Sequence, residues 1–377
     1  MLYEIHMIKN YPPVNLNRDE TGSPKTCYFG GTQRGRISSQ CLKRSWRTSP
    51  LFAEAFKELG TRTRHLPDLV AEELGKRGMP EDAVDAAKRM ISGFANKDSK
   101  PREDNITSQI IFYSANDIQE IASEIEKHWE ANPDIKTFKN IKASEIETEL
   151  KKNCGIRPIT MDIALFGRMV TSDAFKNVEA AVQVANAIST HTVNQESDYY
   201  TAMDDLLHGD SMDENGAGMV GETDYNSCCY YHYMSIDTDQ LMENLKDSDD
   251  AAKMIDLVLP TILEVMAYSN PSGKQNSFAG HVLPDALCVE VKAKKIPCSY
   301  VNAFAEPVRF SGSKALVKES IGKLVDEINL VDHAYGLEVI HRGWFAPRYT
   351  EEHPEKATIE ESMQKLLQDC TEWSEEK

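Results

Sequence analysis

Residues 60–155 repeat their apolar positions with helical spacing between two strand-like stretches, 2–9 and 159–166, and this insertion constrains the fold most. Leu69, Val70 and Leu74 share one amphipathic face. Val84, Ala87, Ile91 and Phe94 share a second, and Ile118, Ile121, Ile125 and Trp129 a third. Gly78-Met79-Pro80 parts the first two helices, and Pro101–Asn105 and Asn132-Pro133-Asp134 read as loops. The block reads as a helical subdomain inserted into something else. Outside it, 2–9 predicts a strand and 39–58 a helix interrupted near Pro50. Ile159–Phe166 predicts a strand, and 173–190 a helix burying Phe175, Val178, Val182, Ala185 and Ile188. Residues 192–225 lose periodicity and contain Gly209, Gly216, Gly218 and Gly221; such a segment inside a compact protein is usually functional. Then follow a strand at Tyr230–Ile236, a helix at 249–268 despite Pro260, and a strand at Leu287–Val291. A helix at 313–331 and a strand at Leu337–Ile340 complete the series. This order predicts an α+β chain with a modified ferredoxin-like (RRM-type) core carrying a large helical insertion.

Charge then separates the ends of the chain. Residues 1–50 hold eight Lys and Arg against three Asp and Glu, a balance of +5, so with a whole-chain charge of −18 the remainder carries −23. A cationic island in an acidic protein is a place to hold an anion. Ser38 or Ser39 is the expected N-cap of a helix to about Thr48. At roughly 100° per residue, Gln40, Lys43, Arg44 and Arg47 fall on one face, and Cys41, Leu42, Ser45 and Trp46 on the other. Arg18, Lys25 and Arg36 precede it, and Gly30, Gly31 and Gly35 are expected to let backbone N–H groups approach a ligand. With the positive end of the helix dipole, this suits a polyphosphate backbone. The segment alone equally fits a solvated basic helix after a Gly-rich turn. An acidic pI of 5.1 is the reverse of a free DNA-binding domain's footprint, so any nucleic-acid binding is local to a groove.

Five blocks carry a family resemblance. They are Phe29-Gly30-Gly31 leading into Arg36–Arg44, then Asp162–Met169, Val184–His191, Gly216–Thr223 and Pro271–Asn276. With the opening Leu2–His6 and Asn17-Arg18-Asp19, the chain resembles the CasC family, the CRISPR-RNA-binding backbone subunit of type I-E Cascade. The resemblance spans about 2–310. It implies a palm of 1–59, 159–192 and 225–377 with a C-terminal helix, helical fingers at 60–158, and a protruding hairpin or thumb at 193–224. It implies no catalysis and no cofactor. The implied partners are CRISPR RNA, the target DNA strand paired to the guide, other Cascade subunits, and further copies of the chain stacked head to tail. Arg18, Lys25, Arg36, Ser38, Gln40, Lys43, Arg44 and Arg47 would hold RNA, with Lys274 and Gln275 as a second contact after the turn Pro271-Ser272-Gly273. Met169 would be an apolar wedge against a displaced nucleotide. From the residues alone, Met169 is equally core filler and 274–276 equally an exposed turn.

The rival is a metal-dependent nuclease using the acidic 198–224 segment. Asp198, Asp204, Asp205, Asp210, Asp213, Glu222 and Asp224 crowd there, with His191 and His208 nearby. Their spacing matches no known metal loop. The chain has no Gly-x-x-x-x-Gly-Lys-Ser/Thr loop and no Gly-x-Ser-x-Gly elbow. Its eight cysteines include no Cys-x-x-Cys pair, which argues against zinc. The N-terminus lacks a secretory pattern and no apolar run spans a bilayer, so a cytoplasmic protein with reduced thiols and no membrane is expected.

Overall fold

Leu2–Asn10 forms the expected first strand, buried along nearly its whole length. The computed structural model describes residues 1–95, 100–153, 158–172, 174–202, 219–248, 250–309 and 313–376. In chain order the strands are β1 (Leu2–Asn10), β2 (Thr26–Phe29), β3 (Thr32–Ile37), β4 (Thr61–Thr63), β5 (Ile111–Tyr113), β6 (Val182–Val184) and β7 (Ala187–Ser189). They continue with β8 (Glu196–Ala202), β9 (Met219–Tyr225), β10 (Cys229–Asp237), β11 (Ala286–Lys292), β12 (Val339–Phe345) and β13 (Thr358–Ile359). The fold is mixed α+β. The chain divides into two units, one of Met1–Phe52, Val184–Ser235 and Val258–Lys377, the other of Ala53–Gln183 and Ile236–Leu257.

The first unit is built on a sheet in the order β13-β12-β11-β1-β10-β7-β3-β2. β1 and β11 run antiparallel from Leu2 opposite Lys292 to Ile8 opposite Ala286. Successive side chains point to opposite faces. Ile8, Cys288 and Trp344 therefore pack with Tyr300, Phe304 and the long helix Ser313–Tyr335. On the other face Lys9 donates to the carbonyls of Ala267 (2.9 Å) and Ser269 (3.3 Å), capping the helix Val258–Tyr268. The C-terminal helix Met363–Glu375 presses Leu366 and Trp373 against Gly343 of β12, where a Cβ would fall 2.7 Å from Leu366. A second sheet of this unit is the hairpin β8–β9, in register from Glu196 opposite Tyr225 to Ala202 opposite Met219. Tyr200 lies over Gly221, whose Cβ would sit 2.4 Å from its ring.

The second unit is mostly helical, and besides the insertion it takes in 53–59, 159–183 and 236–257, which the resemblance assigns to the palm. Leu66–Lys76, Glu81–Ile91, Ala115–Ala131 and Ala143–Asn153 bury Leu74, Ala87, Ile91, Ile121, Ile125 and Ile146 together. Ser114 closes a capping box with Asp117, which fixes where the longest of these helices starts.

Four sequence expectations are corrected. Ile159–Phe166 is no strand but contains the helix Met161–Phe166, entered from extended Thr160 and ended at Gly167 with φ +79°. Its residues 161–165 are all buried, so no periodicity distinguished helix from strand. Asp162 anchors it, accepting from Gly60 N (3.0 Å) and Thr160 Oγ1 (2.6 Å). The helix expected at 173–190 is replaced by β6 and β7, because Ile188 and Ser189 pair with Tyr231 and Tyr230 of β10. The helix at 249–268 is two, Ala251–Asp256 and Val258–Tyr268, with Pro260 in the first turn of the second, where its missing N–H costs little. The last predicted strand runs later, as β12.

Candidate nucleic-acid interface

The island's helix is Ser39–Arg47, and its start is held by three side chains. Ser38 is the N-cap, its Oγ accepting from Cys41 N at 3.3 Å. Asn17 Oδ1 accepts from Ser38 N (2.8 Å) and Asn186 Oδ1 from Ser39 N (3.2 Å). Leu42 and Trp46 are buried, Cys41, Lys43, Ser45 and Arg47 half-buried, and Gln40 and Arg44 exposed. The helix thus turns its aromatic and aliphatic side to the core and Gln40 and Arg44 to solvent, with Lys43 and Arg47 partly covered. Lys43, Arg44 and Arg47 all lie toward the C-terminal half, where cations complement the dipole.

Lys25 and Arg36 join this surface through backbone bonds. Lys25 N donates to Asn17 O (2.8 Å) and Arg36 N to Lys25 O (2.9 Å). The Arg36 guanidinium lies against Thr26 O (3.4 Å) and Asn186 Oδ1 (3.5 Å). Lys25 and Arg44 both act on the Cys41 thiol, which burial raises and these cations oppose. Arg18 is exposed and bridges to Pro24 across a turn. Asp19 closes that turn. Bonds from the Thr21 hydroxyl and from backbone N–H groups hold its carboxyl below the usual range.

The turn 271–276 belongs to the same neighbourhood. A Cβ on Gly273 would fall 2.3 Å from Leu16 O, so only glycine lets this turn lie on the 15–16 backbone. Lys274 is left-handed, with φ +51°, and half-buried Gln275 donates to Pro271 O at 2.9 Å. Between turn and helix opens a groove of about 1060 Å³, lined by Arg18, Arg44, Thr48, Tyr268 and Asn270. Lys274 and Gln275 flank its lining residues Pro271–Gly273 in sequence.

One expectation for the island changes. Gly30 and Gly35 do not serve ligand approach. Their Cβ atoms would meet Ala305 O at 1.6 Å and Cys228 Sγ at 2.8 Å, so they admit neighbouring chain; Gly31, with φ +78°, faces open space. Arg34 is also taken inward, donating to Ser189 O (2.9 Å), Phe304 O (2.8 Å) and Thr32 Oγ1 (2.9 Å). Asn17 and Asn186, which hold the helix start, were not singled out as site residues. Asn17 adjoins Arg18, and Asn186 lies within the matched block Val184–His191.

Met169 belongs to the helical unit and is 92% exposed, so it is not core filler. Its neighbour Arg168 is buried and anchored by Asp117 Oδ2 (2.6 Å), Phe112 O (3.2 Å) and Lys176 O (3.0 Å). Backbone bonds between Arg168 and Val178 fix the loop from which Met169 projects.

Of the rival's acids, Asp204, Asp205, Asp210 and Asp213, with His208, lie outside the described residues, as do Gly209, Gly216 and Gly218. Asp224 accepts from Ser23 (2.5 Å), Ser197 (2.5 Å) and Gln195 (3.0 Å), with the Ser197 and Ser23 hydroxyls holding it below its usual range. Burial lowers His191 to about 4. Among the described residues no group of three or more His, Cys, Asp or Glu is arranged to hold a metal ion. Among them, too, no helix is long and apolar enough to cross a membrane.

The model of the CT1975-like protein family matches residues 3–373. Among solved structures, a chain of a CRISPR RNA-guided surveillance complex in a pre-nicking state is similar, with a TM-score of 0.84 and 26% identity. The match covers 99% of this chain and 100% of that one. A chain of another CRISPR RNA-guided surveillance complex has a TM-score of 0.72 at 22% identity, over 99% and 100% of the two chains, a likeness of fold. No curated protein matches.

Proposed function

The chain belongs to the CT1975-like protein family, the CasC backbone subunits of CRISPR RNA-guided surveillance complexes, and from that premise we propose how it holds its RNA. It is a non-catalytic subunit whose first unit grips the phosphates of the spacer part of CRISPR RNA. The grip is made by Gln40, Lys43, Arg44 and Arg47 of one helix face, by Ser38 at its start, and by Arg18, Lys25 and Arg36 beside it. Lys274 and Gln275 extend it. The observation that carries this reading is the helix Ser39–Arg47, with Leu42 and Trp46 buried, Gln40 and Arg44 exposed, and Lys43 and Arg47 partly solvent-accessible.

Residues 1–59, 159–192 and 225–377 act as the palm, 60–158 as fingers, and 193–224, with the hairpin β8–β9 at its base, as the thumb. Copies stack head to tail along the RNA. Such a heterologous contact does not close on itself, so the RNA and capping subunits set the length. Met169 presses on a displaced nucleotide, and the thumb divides the guide into short segments. Those segments pair with target DNA, so base pairing and not the protein reads sequence. Cleavage belongs to another protein.

The test is binding of labelled single-stranded RNA in Mg²⁺ and in EDTA. Binding in both, without cleavage, and agreement within about threefold between two unrelated guides of equal length is the expected result, since contacts go to the backbone. Mg²⁺-dependent cleavage would favour the acidic 198–224 segment instead.

A further inference from the structure

The groove beside the helix Ser39–Arg47 holds one aromatic side chain that phosphate contacts leave without a role. Tyr268 is the last residue of the helix Val258–Tyr268. That helix buries Leu259, Ile262, Leu263, Val265 and Met266, yet its one aromatic ring is 42% exposed and lines the groove. Among the described residues the Tyr268 side chain makes no hydrogen bond and no ring contact. Its backbone, by contrast, is fastened. Lys9 Nζ donates to the carbonyls on either side, Ala267 O at 2.9 Å and Ser269 O at 3.3 Å, and Asn270 Nδ2 donates to Tyr268 O at 3.4 Å. Asn270 is held in turn, its Oδ1 accepting from the Tyr11 hydroxyl at 2.8 Å. A ring with two χ angles on so fixed a backbone loses little freedom when something stacks on it.

The rest of the lining selects the ligand. Arg18 and Arg44 stand there against Asp19 and Glu20. Cations matched by as many carboxylates make a poor track for a phosphate chain, which needs an excess of positive charge. Asn17, Thr48 and Ser272 make further walls polar, which disfavours an apolar side chain of another protein. A flat, neutral ring with polar edges suits both features, and a nucleobase is such a ring. A strand whose phosphates lie on the adjoining helix face carries bases beside this groove. Stacking on an aromatic side chain accepts any base, because every base has a π-face.

We propose that Tyr268 is a stacking platform for one base of the bound CRISPR RNA. The inference rests on the reading that the helix Ser39–Arg47 holds the phosphates of that RNA.

The full chain and its Tyr268→Ala and Tyr268→Phe variants are titrated with two single strands of equal length, one of uridines and one of abasic ribonucleotides. The strands share their phosphates and differ only in the bases. Tyr268→Ala should weaken binding of the uridine strand by about tenfold. It should leave the abasic strand within about twofold and the salt slope unchanged, since no phosphate contact is lost. Tyr268→Phe should bind as the wild type does, because stacking uses the ring and not the hydroxyl. Equal losses on both strands, as a structural or phosphate-binding tyrosine would give, overturn the proposal. So does an unchanged affinity of Tyr268→Ala for the uridine strand, or a Tyr268→Phe variant as weak as Tyr268→Ala. Binding of the abasic strand by the wild-type chain that does not respond to salt defeats the phosphate reading instead, while the tyrosine variants on the uridine strand still decide this one.

Discussion

Two groups of cations in the same unit have opposite fates. On the helix Ser39–Arg47 they reach solvent, Arg44 fully and Lys43 and Arg47 in part. Under the long helix Ser313–Tyr335 they are sealed inside the sheet. There the register sets Glu4 of β1 directly opposite Glu290 of β11, and Glu290 opposite Arg342 of β12. Like charges facing each other across strands repel. Lys292 resolves the conflict by pairing with both Glu4 and Glu290, the latter at 3.0 Å. Arg342 reaches Glu290 (2.8 Å) and Asp332 (2.9 Å), and Tyr300 donates to Glu290 at 3.1 Å. Lys292, Arg342, Glu4 and Glu290 are all nearly inaccessible to solvent. An internal cation is sealed from any ligand; a cation on the helix Ser39–Arg47 lies where solvent, and so a ligand, reaches it. The difference predicts that the first set governs stability and the second governs RNA.

The largest effect should come from Lys292→Met. It leaves Glu4 and Glu290 buried and facing each other, and breaking a buried pair costs about 3–5 kcal/mol. Urea unfolding measures it, and the RNA affinity of the folded fraction should stay the same. A loss below about 1 kcal/mol would mean that the network carries little of the stability.

Next in size is a pH effect in the same core. His6 stacks near Tyr233 and Tyr300, and burial pushes its pKa down to about 3. The unfolded chain, with an ordinary histidine near 6.5, binds the proton first. Stability is therefore complete above pH 6.5 and falls as pH drops from there toward 3, by about 1.4 kcal/mol per pH unit for this group. His6→Gln should flatten the slope of unfolding free energy between pH 6.5 and 5; an unchanged slope would assign the effect to other groups.

Smaller again is Ser38→Ala, which removes the N-cap from the outward-facing helix and should cost about 1 kcal/mol. It sharpens the comparison, because it weakens the binding helix without touching a cation. Circular dichroism with urea unfolding reads it, and a loss as large as that of Lys292→Met would erase the distinction between the two regions.

Arg34 and Arg36 mark where the sequence stopped being legible. They stand two apart in β3, hence on one face of the strand. Chain 155 and 270 residues away, at Ser189 and Phe304, covers Arg34, and no local pattern reports such contacts. The same limit explains β6 and β7, three-residue strands made by distant partners, and Met161–Phe166, buried on all sides. Where one side stays wet, periodicity read correctly. The helix Ser39–Arg47 and the helices of the second unit are of that kind. Met169 was undecided from sequence because a methionine fits a core or a surface equally, and its exposure depends on how Arg168 is anchored.

The central claim is that the outward face of Ser39–Arg47 meets phosphate. Its direct test is the salt dependence of single-stranded RNA affinity for Lys43→Ala with Arg47→Ala, set beside the unfolding free energy of the same variant. The account predicts a shallower plot of log affinity against log salt, by about 0.7 per contact or roughly 1.4 in all. Stability should change by less than about 0.5 kcal/mol. An unchanged salt slope in a folded variant would contradict it.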